Sequence, residues 1–114
     1  MRNARPISWL KGAFKDFGNF PSEVQLEARR ALTIAAEGSK ADCAKPFKGI
    51  EGGVFEIALR HRSNAYRIIY ALQLASDVIV IDAFQKKSKR GIRTPQVDVD
   101  RIRQRVKRFK DSLR

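Results

Sequence analysis

Val78-Ile79-Val80-Ile81-Asp82-Ala83-Phe84-Gln85-Lys86-Lys87-Ser88-Lys89-Arg90 changes character halfway along. Its first half is apolar and rich in β-branched residues, with no Gly or Pro, and reads as a buried strand. Its second half is a dense cationic run with one exposed-looking aromatic, Phe84, at the junction. A rigid strand that ends in clustered Lys and Arg holds positive charge at a fixed point. The rest of the chain is therefore read as a sheet, and the helices that cover it, built around this strand.

Upstream, two more strands follow one another closely. In Val54 to Arg60, Phe55, Ile57 and Leu59 alternate with Glu56, Ala58 and Arg60. In Ala65 to Leu72, Tyr66, Ile68 and Tyr70 alternate with Arg67, Ile69 and Ala71, which puts Arg67 on the other face. The polar turn His61-Arg62-Ser63-Asn64 makes these a hairpin, and short links favour an antiparallel meander that ends in Val78 to Phe84. Ser39 to Gly53 reads as a connection, with turn signals at Pro46, Gly49, Gly52 and Gly53 and spaced lysines at 40, 45 and 48.

Further upstream lies the cover. Pro6-Ile7-Ser8-Trp9-Leu10 reads as a short first strand with Trp9 in the core. Lys11 to Phe17 is a helical turn or two, broken by Gly18-Asn19. Phe20-Pro21-Ser22-Glu23 opens a longer helix: Ser22 and Gln25 have capping-box spacing, and an alternative start places Pro21 at the first helical position. Val24, Ala28, Ala31, Leu32 and Ala35 give that helix one apolar stripe, and Gly38 is its stop. Downstream, Pro95 to Leu113 reads as a final helix with Ile102, Val106 and Phe109 facing the core. Its cations, Arg101 and Arg105 among them, are read as largely solvent-facing.

Composition narrows the function. The chain has 114 residues, which fits one domain spanning 1–114, and a formal net charge of +12. A domain this basic repels itself and is suited to a polyanion, whether nucleic acid, an anionic surface or an acidic protein. Cys43 is the sole cysteine, which rules out an internal disulfide and fits a reducing cytoplasm. No apolar run approaches the length of a membrane span, and Met1 to Lys11 lacks the apolar segment of a signal peptide. His61 is the sole histidine and sits in a turn, which excludes a paired-histidine nuclease. No glycine-rich phosphate loop precedes a helix, and no tight carboxylate cluster offers a magnesium site.

RNA offers a reaction that needs none of these parts. Its 2′-hydroxyl attacks the adjacent phosphate when the site aligns it and stabilises the charge building on phosphorus. Arg67, Lys86, Lys87, Lys89 and Arg90 form a cationic crowd able to do this. A lysine crowded by other cations has a lowered pKa and becomes competent for proton transfer. Phe84 beside them is placed to stack on a splayed base.

The same residues resemble a known family. Tyr66-Arg67-Ile68-Ile69-Tyr70, then Ile79 through Ser88 with its Phe84-x-Lys86-Lys87 element, then Thr94-Pro95 before a basic helix, resemble the phage-related HigB-like branch of the RelE/ParE toxin superfamily. Ala44-Lys45-Pro46-Phe47-Lys48-Gly49 and the Phe20-Pro21-x-x-Val24 helix start match that branch too. The similarity covers nearly the whole chain. It implies a RelE-like α+β fold of order β-α-α-β-β-β-α, with a mostly antiparallel sheet, two N-terminal helices packed on one face, and a C-terminal helix. It implies the toxin of a type II toxin–antitoxin pair, acting as a ribosome-dependent mRNA endonuclease with no metal and no cofactor, and neutralised by a HigA-like helix-turn-helix antitoxin. It assigns catalysis to Arg67, Lys86, Lys87 and Phe84, and RNA contacts to Lys45 and Lys48; Lys89 and Arg90, from the cationic run, are read as RNA contacts beside them. The branch commonly carries His two residues before the Phe, where this chain has Asp82. Beside a cationic cluster that carboxylate is expected to have a lowered pKa and to orient Arg67 or Lys86. The alternatives are a ParE-like toxin that inhibits gyrase, and a non-catalytic module that binds RNA or protein.

Overall fold

The computed structural model describes residues 4–86 and 93–113. The elements run β1 (Ile7–Trp9), α1 (Lys11–Phe17), α2 (Ser22–Ala36), β2 (Ala44–Pro46), β3 (Val54–His61), β4 (Asn64–Ala71), β5 (Val78–Lys86) and α3 (Gln96–Ser112). The fold is α+β, as expected, with one five-stranded sheet in the order β1-β5-β4-β3-β2. Among the described residues only β1 is parallel to its neighbour, β5; β2, β3, β4 and β5 pair antiparallel.

The β3–β4 turn is set by Arg62 and Ser63, both at positive φ (49° and 68°). That is the twist a two-residue hairpin loop requires. The connection from Ser39 to Gly53 is not all loop, since its middle, Ala44–Pro46, forms β2 along Phe55, Glu56 and Ile57. A three-residue edge strand ending in proline carries too little alternation to announce itself. The third meander strand runs past Phe84 to Lys86.

α2 begins one residue later than its proline suggested. Pro21 is the N-cap and Ser22 makes no side-chain cap. Gln25 instead donates from Nε2 to the Phe20 carbonyl (2.9 Å). Gly38, at φ +93°, ends the helix in a conformation that costs glycine little.

The helices divide the core in two. α1 and α2 cover one face, where Phe17, Val24, Ala28 and Leu32 meet Ile57, Ile68, Tyr70 and Val80. α3 covers the other, where Ile102 and Val106 meet Ile69, Ile79 and Ile81. A bulge in β5 decides what α3 meets: the register passes from Ile69↔Asp82 to Tyr70↔Val80 and skips Ile81. Ile81 and Asp82 therefore both turn toward α3, and the extra residue shifts the parity of everything after it. Without it Phe84 and Lys86 would face the α1–α2 core.

Candidate functional site

The shifted parity brings β5 into phase with Arg67. Arg67 lies directly across from Phe84, and Lys86 is in register with Ala65, which in turn faces Arg60 on β3. Period-two geometry puts Arg60, Arg67, Phe84 and Lys86 on one face at one end of the sheet. Lys45 on β2 joins them through its neighbour Glu56, with Nζ 3.9 Å from Oε1. Of the residues predicted for the site, Arg67, Phe84, Lys86 and Lys45 are thus brought together. Lys87, Lys89 and Arg90 lie outside the described residues.

Burial sets this group apart from an ordinary basic surface. Arg67 and Lys86 are each 7% exposed, and Glu56 is 2% exposed. Charged groups rarely leave water to this degree without close partners. Arg67 donates from Nη1 to the Tyr66 carbonyl (3.3 Å), yet its Nε has no hydrogen-bond partner among the described residues. The Glu56 carboxylate stands 3.7 Å from that nitrogen, close enough to attract and too far to bond. Burial, followed by the charge of Arg67, pulls the Lys86 ammonium below its ordinary pKa, with Glu56 pulling weakly the other way.

Glu56 was read from sequence as the polar side of an alternating strand. In the structure it is the carboxylate at the middle of the cluster, held by Lys45, Arg67 and the Thr94 hydroxyl, which donates to Oε2 (2.5 Å). Only the lateral register of β2, β3 and β4 could have exposed this role. A cleft of about 600 Å³ opens above it, lined by Lys45, Phe47, Lys48, Arg93, Thr94 and Val99 as well as Glu56. Lys48 is therefore at the rim of the site and not against Arg67.

Asp82 departs from expectation. It is fully buried, and its carboxylate is bound by two arginines of α3: Arg101 Nε at 2.8 Å and Arg105 Nη1 at 3.0 Å. It orients these and not Arg67 or Lys86. Burial outweighs the arginines and raises its pKa, where a lowered value was expected. Arg101 and Arg105 are accordingly only partly exposed, not solvent-facing. Arg101 also lies over the Phe84 ring, 5.3 Å from its centre, so that half-buried ring is covered on one face. His61, at the end of β3, sits 3.4 Å from Glu23 of α2 and away from the cluster.

Among the described residues no three His, Cys, Asp or Glu side chains gather as a metal ion would need. What the arrangement offers is concentrated positive charge, a lysine with an eased proton, and an open cleft beside them. No described helix is long and apolar enough to cross a membrane.

No curated protein matches the chain. Among solved structures, a double mutant of the E. coli toxin RelE in its free state is similar, with a TM-score of 0.61 at 19% identity, covering 76% of this chain and 88% of that one. The likeness confirms the RelE fold. The family described as "Phage derived protein Gp49-like (DUF891)" matches residues 15–107, and with that match the chain belongs to the phage-derived Gp49-like family, a RelE/HigB-type toxin family.

Proposed function

We propose that this protein is the toxin of a type II toxin–antitoxin pair and that it cleaves mRNA on the ribosome. The observation that carries the reading is the Arg67–Lys86 pair. Two cations on one sheet face are both more than nine-tenths buried, and the Arg67 Nε lacks a hydrogen-bond partner among the described residues. A fold that buries a guanidinium N–H without a hydrogen-bond acceptor favours an anion arriving from outside. A phosphodiester in RNA suits the cleft and the net charge of +12.

In the reaction, the 2′-hydroxyl gives up its proton to solvent water as its oxygen attacks the adjacent phosphorus to close a 2′,3′-cyclic phosphate, and the bond from phosphorus to the 5′-oxygen breaks. Arg67 stabilises the charge that builds on the phosphoryl oxygens. Lys86, with its eased proton, protonates the departing 5′-oxygen. In this reading Lys87, which follows Lys86 in the chain, contributes charge to catalysis, and Lys45, Lys48, Lys89 and Arg90 are RNA-contacting residues. The ribosome supplies in-line alignment of the message. A helix-turn-helix antitoxin is the expected neutralising partner.

Induced expression, followed by mapping of mRNA 5′ ends, tests this. Wild type should arrest growth and leave cuts in ribosome-bound messages. Arg67→Ala and Lys86→Ala should each relieve arrest and abolish the cuts while the folded chain still accumulates. Full toxicity in both variants overturns the site. Arrest with DNA breaks and intact mRNA overturns the nuclease reading in favour of gyrase inhibition.

A further inference from the structure

We infer that Glu56 is a positioning residue: a buried counter-ion that holds Arg67 and Lys86 charged and in place while leaving the Arg67 Nε open to a phosphate. This deepens the proposed function and rests on Arg67 and Lys86 acting on RNA phosphate. Strand register puts the carboxylate where it can do so. Glu56 pairs with Ile69, two residues from Arg67 along β4 and on the same face of the sheet. On its other side Lys45 of β2 is its direct partner, with Nζ 3.9 Å from Oε1. Thr94, just ahead of α3, donates its hydroxyl to Oε2 at 2.5 Å. One side chain thus joins β2, β4 and the loop before α3 at a single point. It is 2% exposed and one of its oxygens is engaged, so it acts through its neighbours and not on the message itself.

Arg67 and Lys86 are each 7% exposed, and cations that leave water side by side need a negative charge near them. Glu56 supplies it, and the distance decides how. At 3.7 Å from Nε the carboxylate attracts the guanidinium but takes no hydrogen bond from it. A two-bond clamp between the two side chains would have occupied that donor. The looser placement fixes Arg67 and keeps Nε for a phosphoryl oxygen. Lys86 feels the same charge. Burial drives its proton off, as do the cations Arg67 of β4, Lys45 of β2 and Arg60 of β3, while Glu56 holds the proton on. With the carboxylate neutralised, Lys86 would lose its proton at a lower pH, and a lysine without its proton cannot serve the departing 5′-oxygen.

The test uses the whole chain and two readouts. One is the single-turnover rate of mRNA cleavage on ribosomes across neutral and alkaline pH. The other is the NMR titration of the Lys86 ε-methylene in the free protein. Glu56→Gln should slow cleavage about 10²-fold, the scale of loss when a reacting group shifts by about 1 Å. Its rate should also begin to fall at a lower pH than in wild type, and its Lys86 should titrate lower. Glu56→Asp keeps the charge and should return the alkaline limb and the titration toward wild type, at a reduced rate. Should Glu56→Gln fail to fold, Thr94→Val removes only the hydroxyl: it should lower the rate while the alkaline limb stays in place. A folded Glu56→Gln chain whose Lys86 titrates as in wild type overturns the inference. Equal slowing at every pH in the Gln and Asp variants, or an unchanged rate in Thr94→Val, does the same. A lowered Lys86 titration in Glu56→Gln, beside a wild type that never cuts ribosome-bound mRNA, sinks the nuclease reading and leaves the counter-ion standing. Cleavage by wild type with a Lys86 titration indifferent to Glu56 does the reverse.

Discussion

Lys86 carries an ammonium group in a position that is only 7% exposed, with the charge of Arg67 beside it. Its folded pKa lies below the unfolded value of 10.5, so the neutral form is the one the fold favours. The contribution to stability is present above 10.5 and is lost as pH falls through the folded pKa, leaving a net cost at neutral pH. Lys86→Met should therefore raise the melting temperature at pH 7, and the gain should shrink as pH approaches 10.5. The same substitution should slow mRNA cleavage about 10²–10⁴-fold, the usual cost of removing a general acid. A melting temperature that falls at pH 7 contradicts this account of Lys86. Arg67 stands out in the sequence as a cation inside an apolar alternation, and Lys86 as the start of a cationic run that follows a buried strand. Glu56 does not, since a carboxylate on the polar side of β3 is ordinary until β2 and β4 are laid beside it with Lys45 and Arg67.

α3 is attached by charge as much as by apolar contact. Ile102 and Val106 are its buried residues, and beside them Asp82 receives Arg101 and Arg105. Gly12 of α1 makes room for this: a Cβ there would stand 2.7 Å from Arg105 Nη2. Asp82 is fully buried, so removing both arginines should strand its charge and cost about 3–5 kcal/mol. The double variant Arg101→Met/Arg105→Met should melt lower and exchange its α3 amides faster. Its Asp82 pKa, already raised by burial, should rise further. A raised carboxyl pKa means stability that is present below the unfolded value of 3.8 and lost as pH climbs through the folded one. The variant should thus regain stability on mild acidification, and adding Asp82→Asn should recover most of the loss at pH 7. An α3 that exchanges at the wild-type rate in the double variant would mean the arginines do not hold it. The apolar stripes of α2 and α3 were readable from helical spacing, but the bulge at Ile81 was not. A run of Val and Ile looks the same with or without a skipped residue, and that skip is what sends Asp82 to α3 and shifts Phe84 and Lys86 to the face of Arg67.

At the scale of the whole molecule, the question is whether +12 acts as a diffuse field or through one site. Two sets of cations answer differently. Lys45, Lys48, Arg60, Arg67 and Lys86 lie on or around one end of the sheet, whereas Arg103 and Lys107 are exposed on α3 beside a separate shallow groove. Each phosphate contacted on a single strand lowers log K by about 0.7 per decade of salt. If binding runs through the first set, short single-stranded RNA should bind with a slope of about −3.5. Lys45→Gln and Lys48→Gln should each flatten it by about 0.7. Arg103→Gln/Lys107→Gln should lower affinity only modestly through the long-range field, which salt screens within a Debye length of about 10 Å, and should leave the slope unchanged. A slope that falls equally for both pairs of substitutions would mean RNA wraps the basic surface as a whole. The buried Arg67–Lys86 pair would then be one contact among many, and local geometry would no longer account for where the strand is held.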